Sequence, residues 1–310
     1  MIGRITNQMA SQMTLAGIES ALDRLDTTQQ ELSTGKRINQ PSDDPSGTAL
    51  TLQLNTDLSN LNNYSNQVTD GTGWAQASTS ALSDITNSVQ RIRELTLEAA
   101  NGTQTTADMQ ASAQEVNQLI DQIKQDANTQ YNGQYVFSGS ATSTQPYASG
   151  TSDSYAGNTS QVTRTIGPST TLAVNANLSS VLGTGQTVSG QPAGDGLLLN
   201  SLRNIADDMQ SGNTSGLNSD LSSLDTNLNS LTGLSASVGA ITDRLQMAAS
   251  RIQTLQLSDN QVLSNTQDAD MASTEIDFST QQAALQAALQ AGANIVQQSL
   301  MNFLGSGSGG

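Results

Sequence analysis

Apolar residues recur at alternating steps of three and four over long stretches of this chain, including both of its ends. Near the N-terminus they are Leu15, Ile18, Leu22, Leu25 and Leu32, with the polar Gln29 at one intervening step. Near the C-terminus they are Phe278, Leu285, Leu289, Val296 and Phe303, with Gln282, Gly292 and Ser299 at the intervening steps. Such steps return to one face of an α-helix, so each end is predicted to be a helix with an apolar stripe. Because both stripes share one period, we expect the two terminal helices to pair as a coiled coil.

The same pattern continues in the first half of the chain. A helix is predicted to begin at Pro45, since the fixed φ of proline suits the first helical position, and to weaken at Gly71 and Gly73. A further helix is expected over residues 82–95 and its partner over residues 109–127. A short glycine-containing turn separates them, which predicts an antiparallel helical hairpin.

The second half begins with a change of character. Residues 138–195 are rich in Gly, Ser and Thr and lack the helical period, whereas residues 162–166 and 172–174 alternate as strands do, with Gly167-Pro168 as the turn between them. Gln134-Tyr135-Val136-Phe137 is predicted to be the strand that leads into this region. Beyond it, residues 217–262 carry one apolar pattern that two glycines do not interrupt, which predicts a single long helix.

The predicted fold is therefore mainly α with a small β insertion: an elongated rod of long antiparallel helices whose ends pair. We expect four parts, described here by their residue numbers. They are a terminal assembly domain (1–44 and 265–304), a helical rod domain (45–137 and 196–264), a β-rich outer domain (138–195) and a flexible tail (305–310).

Composition excludes several classes of function. The chain has neither Cys nor His, so thiolate nucleophiles, imidazole bases and the usual zinc sites are ruled out, and no glycine-rich nucleotide fingerprint occurs. We predict that the protein is not an enzyme and uses no cofactor or metal. A formal net charge of −16 disfavours nucleic acid and anionic membranes as partners. No apolar run is long enough to span a bilayer and no secretory signal is evident, which by itself indicates a cytoplasmic protein.

The acidic pair Asp43-Asp44 has two interpretations, of which the first is a catalytic or metal-binding pair. Both residues lie between Pro41 and Pro45, just before a predicted helix. Carboxylates in that place most often accept hydrogen bonds from the free N–H groups of a helix start, so we expect caps. The acidic residues before the last helix, Asp268 and Asp270, are explained in the same way by helix-start electrostatics.

The segment Leu32-Ser33-Thr34-Gly35-Lys36-Arg37-Ile38-Asn39-Gln40-Pro41-Ser42-Asp43-Asp44-Pro45-Ser46-Gly47 resembles the N-terminal signature of the flagellin family. Its signature residues in this chain are Gly35, Arg37, Asn39, Asp43, Asp44 and Gly47. The segment Asp268-Ala269-Asp270-Met271-Ala272 is similar to the start of the family's C-terminal helix. The resemblance extends over about the first 140 residues and the last 110.

Within that family, three stretches resemble the hook–filament junction proteins more than the filament flagellins. They are Tyr131-Asn132-Gly133-Gln134-Tyr135-Val136-Phe137-Ser138-Gly139-Ser140, then Gln145-Pro146-Tyr147, and the ending Ser299-Leu300-Met301-Asn302-Phe303-Leu304.

The resemblance implies a structural subunit of the bacterial flagellum that is exported unfolded through the flagellar type III channel. It thus implies an extracellular location without a signal peptide. The implied assembly is a homo-oligomeric ring that adapts hook to filament, in which terminal helices order as they assemble through the ten apolar positions named above. The implied partners are the other hook–filament junction protein, flagellin and a cytoplasmic export chaperone.

Three alternatives are compared with this prediction. A filament flagellin, or a minor flagellin paralogue, shares the terminal helices but would form long filaments by itself. An enzyme carried on a flagellin scaffold would need the His-Glu-x-x-His zinc motif of such proteins, and this chain has no His. A membrane-tethered signalling rod lacks a membrane segment.

Overall fold

The computed structural model describes residues 7–185 and 195–306. The helices are α1 (Asn7–Thr34), α2 (Pro45–Ala100), α3 (Thr106–Ala127), α4 (Ser179–Leu182), α5 (Leu198–Ser211), α6 (Thr214–Gln267) and α7 (Met271–Ser306). The strands are β1 (Gln130–Tyr131), β2 (Gln134–Tyr135), β3 (Thr163–Gly167) and β4 (Thr170–Ala173). The predicted class, mainly helical with small β elements in the middle of the chain, is confirmed. Positions 1–6, 186–194 and 307–310 of the predicted domains lie outside the described residues.

The chain divides into two compact units. Unit 1 comprises Met1–Ser59 and Gln256–Gly310, and unit 2 comprises Asn60–Leu255. Unit 1 therefore holds both terminal helices, and unit 2 holds all four strands. The division into four parts made from the sequence stays a prediction.

The predicted weakening at Gly71 and Gly73 is wrong, because α2 runs unbroken from Pro45 to Ala100. The two glycines serve close packing instead. A Cβ at position 71 would lie 3.2 Å from Leu245 Cδ2, and one at position 73 would collide with the ring of Tyr131. The loss of helix propensity, about 1 kcal/mol per glycine, is thus accepted where neighbouring side chains need the space.

The helical hairpin of α2 and α3 is confirmed. Arg91 Nε donates to Glu115 Oε1 at 2.8 Å, and the chain reverses about halfway between these residues, so the helices are antiparallel. Thr105 and Asp108 form a capping box at the start of α3, in which the Thr105 side chain accepts from the Asp108 N–H and the Asp108 carboxylate accepts from the Thr105 N–H.

Unit 2 contains one continuous apolar core. The largest fully buried side chains include Trp74, Leu82, Ile85, Ile92 and Ile120. The long helix α6, predicted as a single helix, is confirmed and supplies a buried residue at every seventh position: Leu217, Leu224, Leu231, Val238, Leu245 and Ile252. A strict period of seven keeps one helical face towards its neighbours over many turns.

The middle of the chain adds two small antiparallel sheets to unit 2. Strand β3 pairs with β4 across the predicted Gly167-Pro168 turn, and β1 pairs with β2. Tyr147 is fully buried, and its hydroxyl donates to the Gly183 carbonyl at 2.6 Å. Arg164 joins the β3–β4 hairpin to α2 by donating to Asp70 at 2.6 Å. None of the helices in the described ranges carries an apolar stretch of the length that a bilayer crossing needs.

Candidate functional site

The terminal helices α1 and α7 pack against each other in antiparallel orientation. The Thr28 hydroxyl donates to Gln281 Oε1 at 2.8 Å. Further towards the N-terminus of α1, Thr14 and Ile18 approach Gly292, where a Cβ would lie 3.3 Å from a side-chain carbon of each. Later residues of α1 therefore contact earlier residues of α7, which shows that the two helices are antiparallel. The predicted pairing of the chain ends is confirmed.

The contact between α1 and α7 uses mainly small residues. Ala21, Thr28, Thr274 and Gly292 are buried in it. Five of the predicted assembly residues lie half-buried beside them: Ile18, Leu25, Leu32, Phe278 and Leu285. Small side chains let two helix axes approach closely, so the contact is narrow and covers only one side of each helix.

Three other predicted assembly residues lie outside this contact. Leu15 is 59% exposed, Leu22 is 48% exposed and Leu289 is 51% exposed. The side chains of Val296 and Phe303 lie outside the described residues. Unit 1 also leaves further apolar side chains exposed: Met9, Met13, Leu50, Leu52, Leu257, Val262, Met271 and Ile276. A large exposed apolar surface of this kind marks a site of protein–protein contact.

The signature segment joins the two helix connections of unit 1. Gly35 has a φ of 69° and ends α1 in the left-handed conformation that glycine favours. Lys36 then pairs with Asp268 in an isolated antiparallel bridge, and the Arg37 N–H donates to the Gln267 carbonyl at 2.7 Å. The Arg37 guanidinium adds a bond of 2.9 Å to the Thr266 carbonyl. We call residues 35–47 together with residues 266–270 the clasp.

The remaining signature residues shape the clasp from within. Asp44 accepts from the Gly47 N–H at 2.9 Å, which lowers the pKa of Asp44, and the predicted cap of α2 is confirmed. The prediction that Asp43 also caps α2 is wrong, because Asp43 accepts from the Gln40 and Asn39 N–H groups of the preceding turn at 2.9 and 3.0 Å, which lowers its pKa too. Asn39 donates to the Lys36 carbonyl at 2.8 Å. The signature therefore has a structural role, and its carboxylates are committed to backbone N–H groups.

Position 47 requires glycine, because the surrounding side chains leave no space for a Cβ atom. A Cβ there would lie 2.5 Å from both Ile38 Cδ1 and Asp44 Oδ2, well inside contact distance. Ile38 is only 5% exposed and therefore has little room to move.

Sequence reasoning missed a buried cationic cluster in unit 2. The Lys124 side chain is 1% exposed, and its ammonium group donates to the Gly150 and Ser152 carbonyls and to Asp153 Oδ1 at 2.6, 2.8 and 3.0 Å. Arg203 binds the other carboxylate oxygen of Asp153 at 3.1 Å. The cluster ties the loop at residues 150–153 to α3 and α5. A single Lys on a helical pattern carries no signal of such burial.

Within residues 7–185 and 195–306, no group of three acidic side chains is placed to hold a metal ion. Unit 1 thus combines a helix pair that has exposed apolar side chains with the clasp, which is held together by hydrogen bonds.

Solved structures share this fold. A putative flagellar hook-associated protein from Vibrio parahaemolyticus superposes with a TM-score of 0.64 at 18% sequence identity, over 73% of this chain and 100% of that one. The flagellar junction protein FlgL from Legionella pneumophila superposes with a TM-score of 0.56 at 16% identity, over 72% and 100%. Both proteins therefore share the fold of this chain, which combines a pair of terminal helices with a helical unit that carries small β elements.

The sequence comparison assigns the family. A family model of the bacterial flagellin N-terminal helical region matches residues 5–142, and a model of the C-terminal helical region matches residues 221–304. The chain belongs to the bacterial flagellin family. Flagellin 1 of Proteus mirabilis is 34% identical over 136 residues, which are 44% of this chain and 37% of that flagellin.

The family assignment has three consequences. Proteins of this family are structural and not enzymes, they are extracellular components of the flagellum, and they assemble into flagellar polymers. The chain is accordingly an axial structural protein of the flagellin and FlgL kind. The cytoplasmic location that composition alone indicated is wrong, because proteins of this family are extracellular components of the flagellum.

Proposed function

We propose that this chain forms the junction between the flagellar hook and the filament, as a ring of identical subunits that adapts one tubular lattice to the other. The observation that carries the assembly role is the exposed apolar surface of α1 and α7. The contact between these helices buries small residues and leaves Leu15, Leu22 and Leu289 in water. Neighbouring subunits would cover this apolar surface, since the described residues of unit 1 provide no further element to place there.

The choice of a junction subunit has two supports. The fold matches essentially the whole length of FlgL-type chains. The motifs that resemble junction proteins also lie in the core: Tyr131 packs edge-on against Trp74, with ring centroids 6.4 Å apart, and Tyr147 is fully buried. These residues shape the β-containing part of unit 2, which in this proposal faces outwards from the ring.

The proposed partners are those of an adaptor. The other hook–filament junction protein would contact the ring on its hook side, and flagellin would contact the ring on its filament side. A cytoplasmic export chaperone would bind the chain before export. The terminal helices would complete their packing only in the assembled ring, because their exposed apolar side chains find partners there.

Filament flagellin is the second candidate. It is favoured by the identity of about one third to curated flagellins, although the match covers only 37% of the Proteus mirabilis flagellin. The two candidates differ in what the cell lacks without the protein.

Deletion of the gene, followed by electron microscopy and an assay of flagellin in the medium, separates them. A junction protein predicts bare hooks with flagellin monomers released into the medium, both reversed by complementation. Bare hooks with no flagellin in the medium would identify the filament protein itself. Normal filaments would contradict both proposals.

A further inference from the structure

A groove on unit 2 combines apolar lining with positive charge. It has a volume of about 390 Å³ and lies between α2, the tip of the β3–β4 hairpin and α6. Leu61 and Tyr64 line one wall, Pro168 closes the tip, and α6 contributes the opposite wall. On that wall, Met247 is 64% exposed and Leu255 is 39% exposed. Unit 2 otherwise buries its large apolar residues well, so this exposure is local.

Two arginines of α6 line the same groove. Arg244 and Arg251 are seven residues apart, so they lie on one helical face about 10.5 Å apart along the axis. Across the part of the chain that the structure describes, neither guanidinium forms an ion pair, whereas Arg37, Arg91, Arg93, Arg164 and Arg203 all do. In a chain of net charge −16, two uncommitted cations beside an apolar groove favour an acidic and apolar occupant.

The exposed side of α1 has that chemistry. Leu15, Glu19, Leu22 and Asp26 form one stripe, since steps of four, three and four keep to one face of a helix. All four are exposed, and neither carboxylate forms an ion pair among the described residues. The stripe lies beside the contact with α7, so that contact leaves it free.

The two stripes have matching spacing in opposite directions. Along α6, Arg244, Ala248, Arg251 and Leu255 lie at offsets of 0, 4, 7 and 11 residues. Read backwards along α1, Asp26, Leu22, Glu19 and Leu15 lie at the same offsets. Antiparallel packing would therefore place each arginine opposite a carboxylate and each α1 leucine opposite an apolar residue of α6, with Met247 beside Leu22.

We infer that the groove on unit 2 binds helix α1 of a second copy of this chain, in antiparallel orientation, through Arg244–Asp26 and Arg251–Glu19 ion pairs. The inference rests on the proposed assembly of the chain with itself and names one contact of that assembly. The apolar pairs supply the burial, and the ion pairs set the register and direction.

Disulfide trapping tests the contact, because the chain has no cysteine of its own. One full-length chain carries Leu22→Cys and another carries Met247→Cys, and the two are mixed and oxidised. The matched control replaces Met247→Cys with Gln246→Cys, which lies on the neighbouring face of α6 outside the groove. We expect at least about tenfold more mixed disulfide for the first pair, since cross-linking requires Cα atoms within about 7 Å.

Charge variants test the ion pairs. Arg244→Gln with Arg251→Gln in the Met247→Cys chain should lower the disulfide yield by about fivefold or more, because the register loses both pairs. Gln246→Glu with Gln253→Glu gives the same net charge on the same helix and should leave the yield within about twofold. Reversing all four charges in one chain, with Arg244→Asp, Arg251→Glu, Glu19→Arg and Asp26→Arg, should restore association.

Three results would overturn the inference. The first is an equal yield of mixed disulfide for Met247→Cys and for its control Gln246→Cys. The second is a yield that does not change when both arginines are replaced. The third is a disulfide that forms within a single diluted chain carrying both cysteines. If no specific disulfide forms but deletion of the gene gives bare hooks, the contact at this groove is refuted and the junction proposal is unaffected. A trapped contact alongside normal filaments would refute the junction proposal alone.

Discussion

The two units of this chain treat their apolar residues in opposite ways. Among the described residues, the buried apolar side chains of unit 1 are Ala21, Ile38 and Leu54, and all the others belong to unit 2. Most of the exposed large apolar side chains, in contrast, lie in unit 1. Unit 2 is thus a domain that completes its own core, whereas unit 1 leaves most of its large apolar side chains exposed. If the proposed assembly is correct, apolar periodicity serves folding in one part of the chain and association in another.

The comparison is tested most strongly at the buried cluster of unit 2. Asp153→Ala should lower the free energy of unfolding by about 4 kcal/mol, because it leaves Lys124, which is 1% exposed, without its counter-charge. Asp225→Ala is the control: it breaks the Arg93 pair, in which both side chains are more than one third exposed, and should change stability by less than about 1 kcal/mol. Urea denaturation measures both, and equal losses would contradict the assignment.

The next largest effect contrasts one apolar residue from each unit. Ile120→Ala in unit 2 should cost about 3 kcal/mol, since the side chain is fully buried and a cavity remains. Leu22→Ala in unit 1 should cost less than about 0.5 kcal/mol in the monomer, because its side chain is 48% exposed. Assembly should respond in the reverse order: sedimentation velocity should show weakened self-association for Leu22→Ala. A large stability loss for Leu22→Ala would mean that unit 1 has a core of its own.

Substitutions at two glycines of unit 1 separate the close packing of its clasp from the exposed surface of α1. Gly47→Ala should destabilise by about 1–2 kcal/mol, because the new Cβ would meet Ile38 and Asp44. Gly17→Ala has no atom within 4 Å of the new Cβ and should stabilise α1 by about 0.5–1 kcal/mol. Thermal unfolding followed by circular dichroism should give shifts of opposite sign. Shifts of the same sign would contradict the packing described for the clasp.

The smallest expected effect is a pH dependence in unit 2. Burial, with Asp208 nearby, raises the pKa of Asp220 to about 6, and its Oδ2 is one of the buried oxygens without a partner among the described residues. Between about pH 4 and pH 6 the folded state therefore holds a proton that the unfolded state releases, so this group makes stability fall as pH rises. Asp220→Asn should flatten that slope and stabilise the protein at pH 7 by about 1 kcal/mol, a figure reduced for partial exposure.

Denaturation series at pH 4, 5, 6 and 7 provide the measurement for Asp220→Asn. Asp121→Asn is a suitable control, because it removes an exposed carboxylate from α3. An unchanged slope in Asp220→Asn would show that Asp220 titrates normally.

The sequence by itself determined most of the helical segments and several of their ends. Steps of three and four define helical faces whatever they pack against, and Gly35 and Pro45 mark boundaries because glycine tolerates a positive φ and proline suits a helix start. The β3–β4 hairpin and the cap at Asp44 followed from the same local rules. The pairing of the terminal helices followed from the period that their apolar stripes share.

Only the tertiary structure decided which stripe of each terminal helix meets the other. The α1–α7 contact uses Ala21, Thr28 and Gly292 and leaves Leu15 and Leu22 exposed, since small residues let helices approach and a period of 3.5 does not distinguish neighbouring stripes. Gly71 and Gly73 likewise lie inside a helix because other side chains fill the space beside them, and Lys124 is buried because a distant loop supplies its oxygens. These outcomes depend on contacts between residues far apart in the chain, and local periodicity contains no information about such contacts.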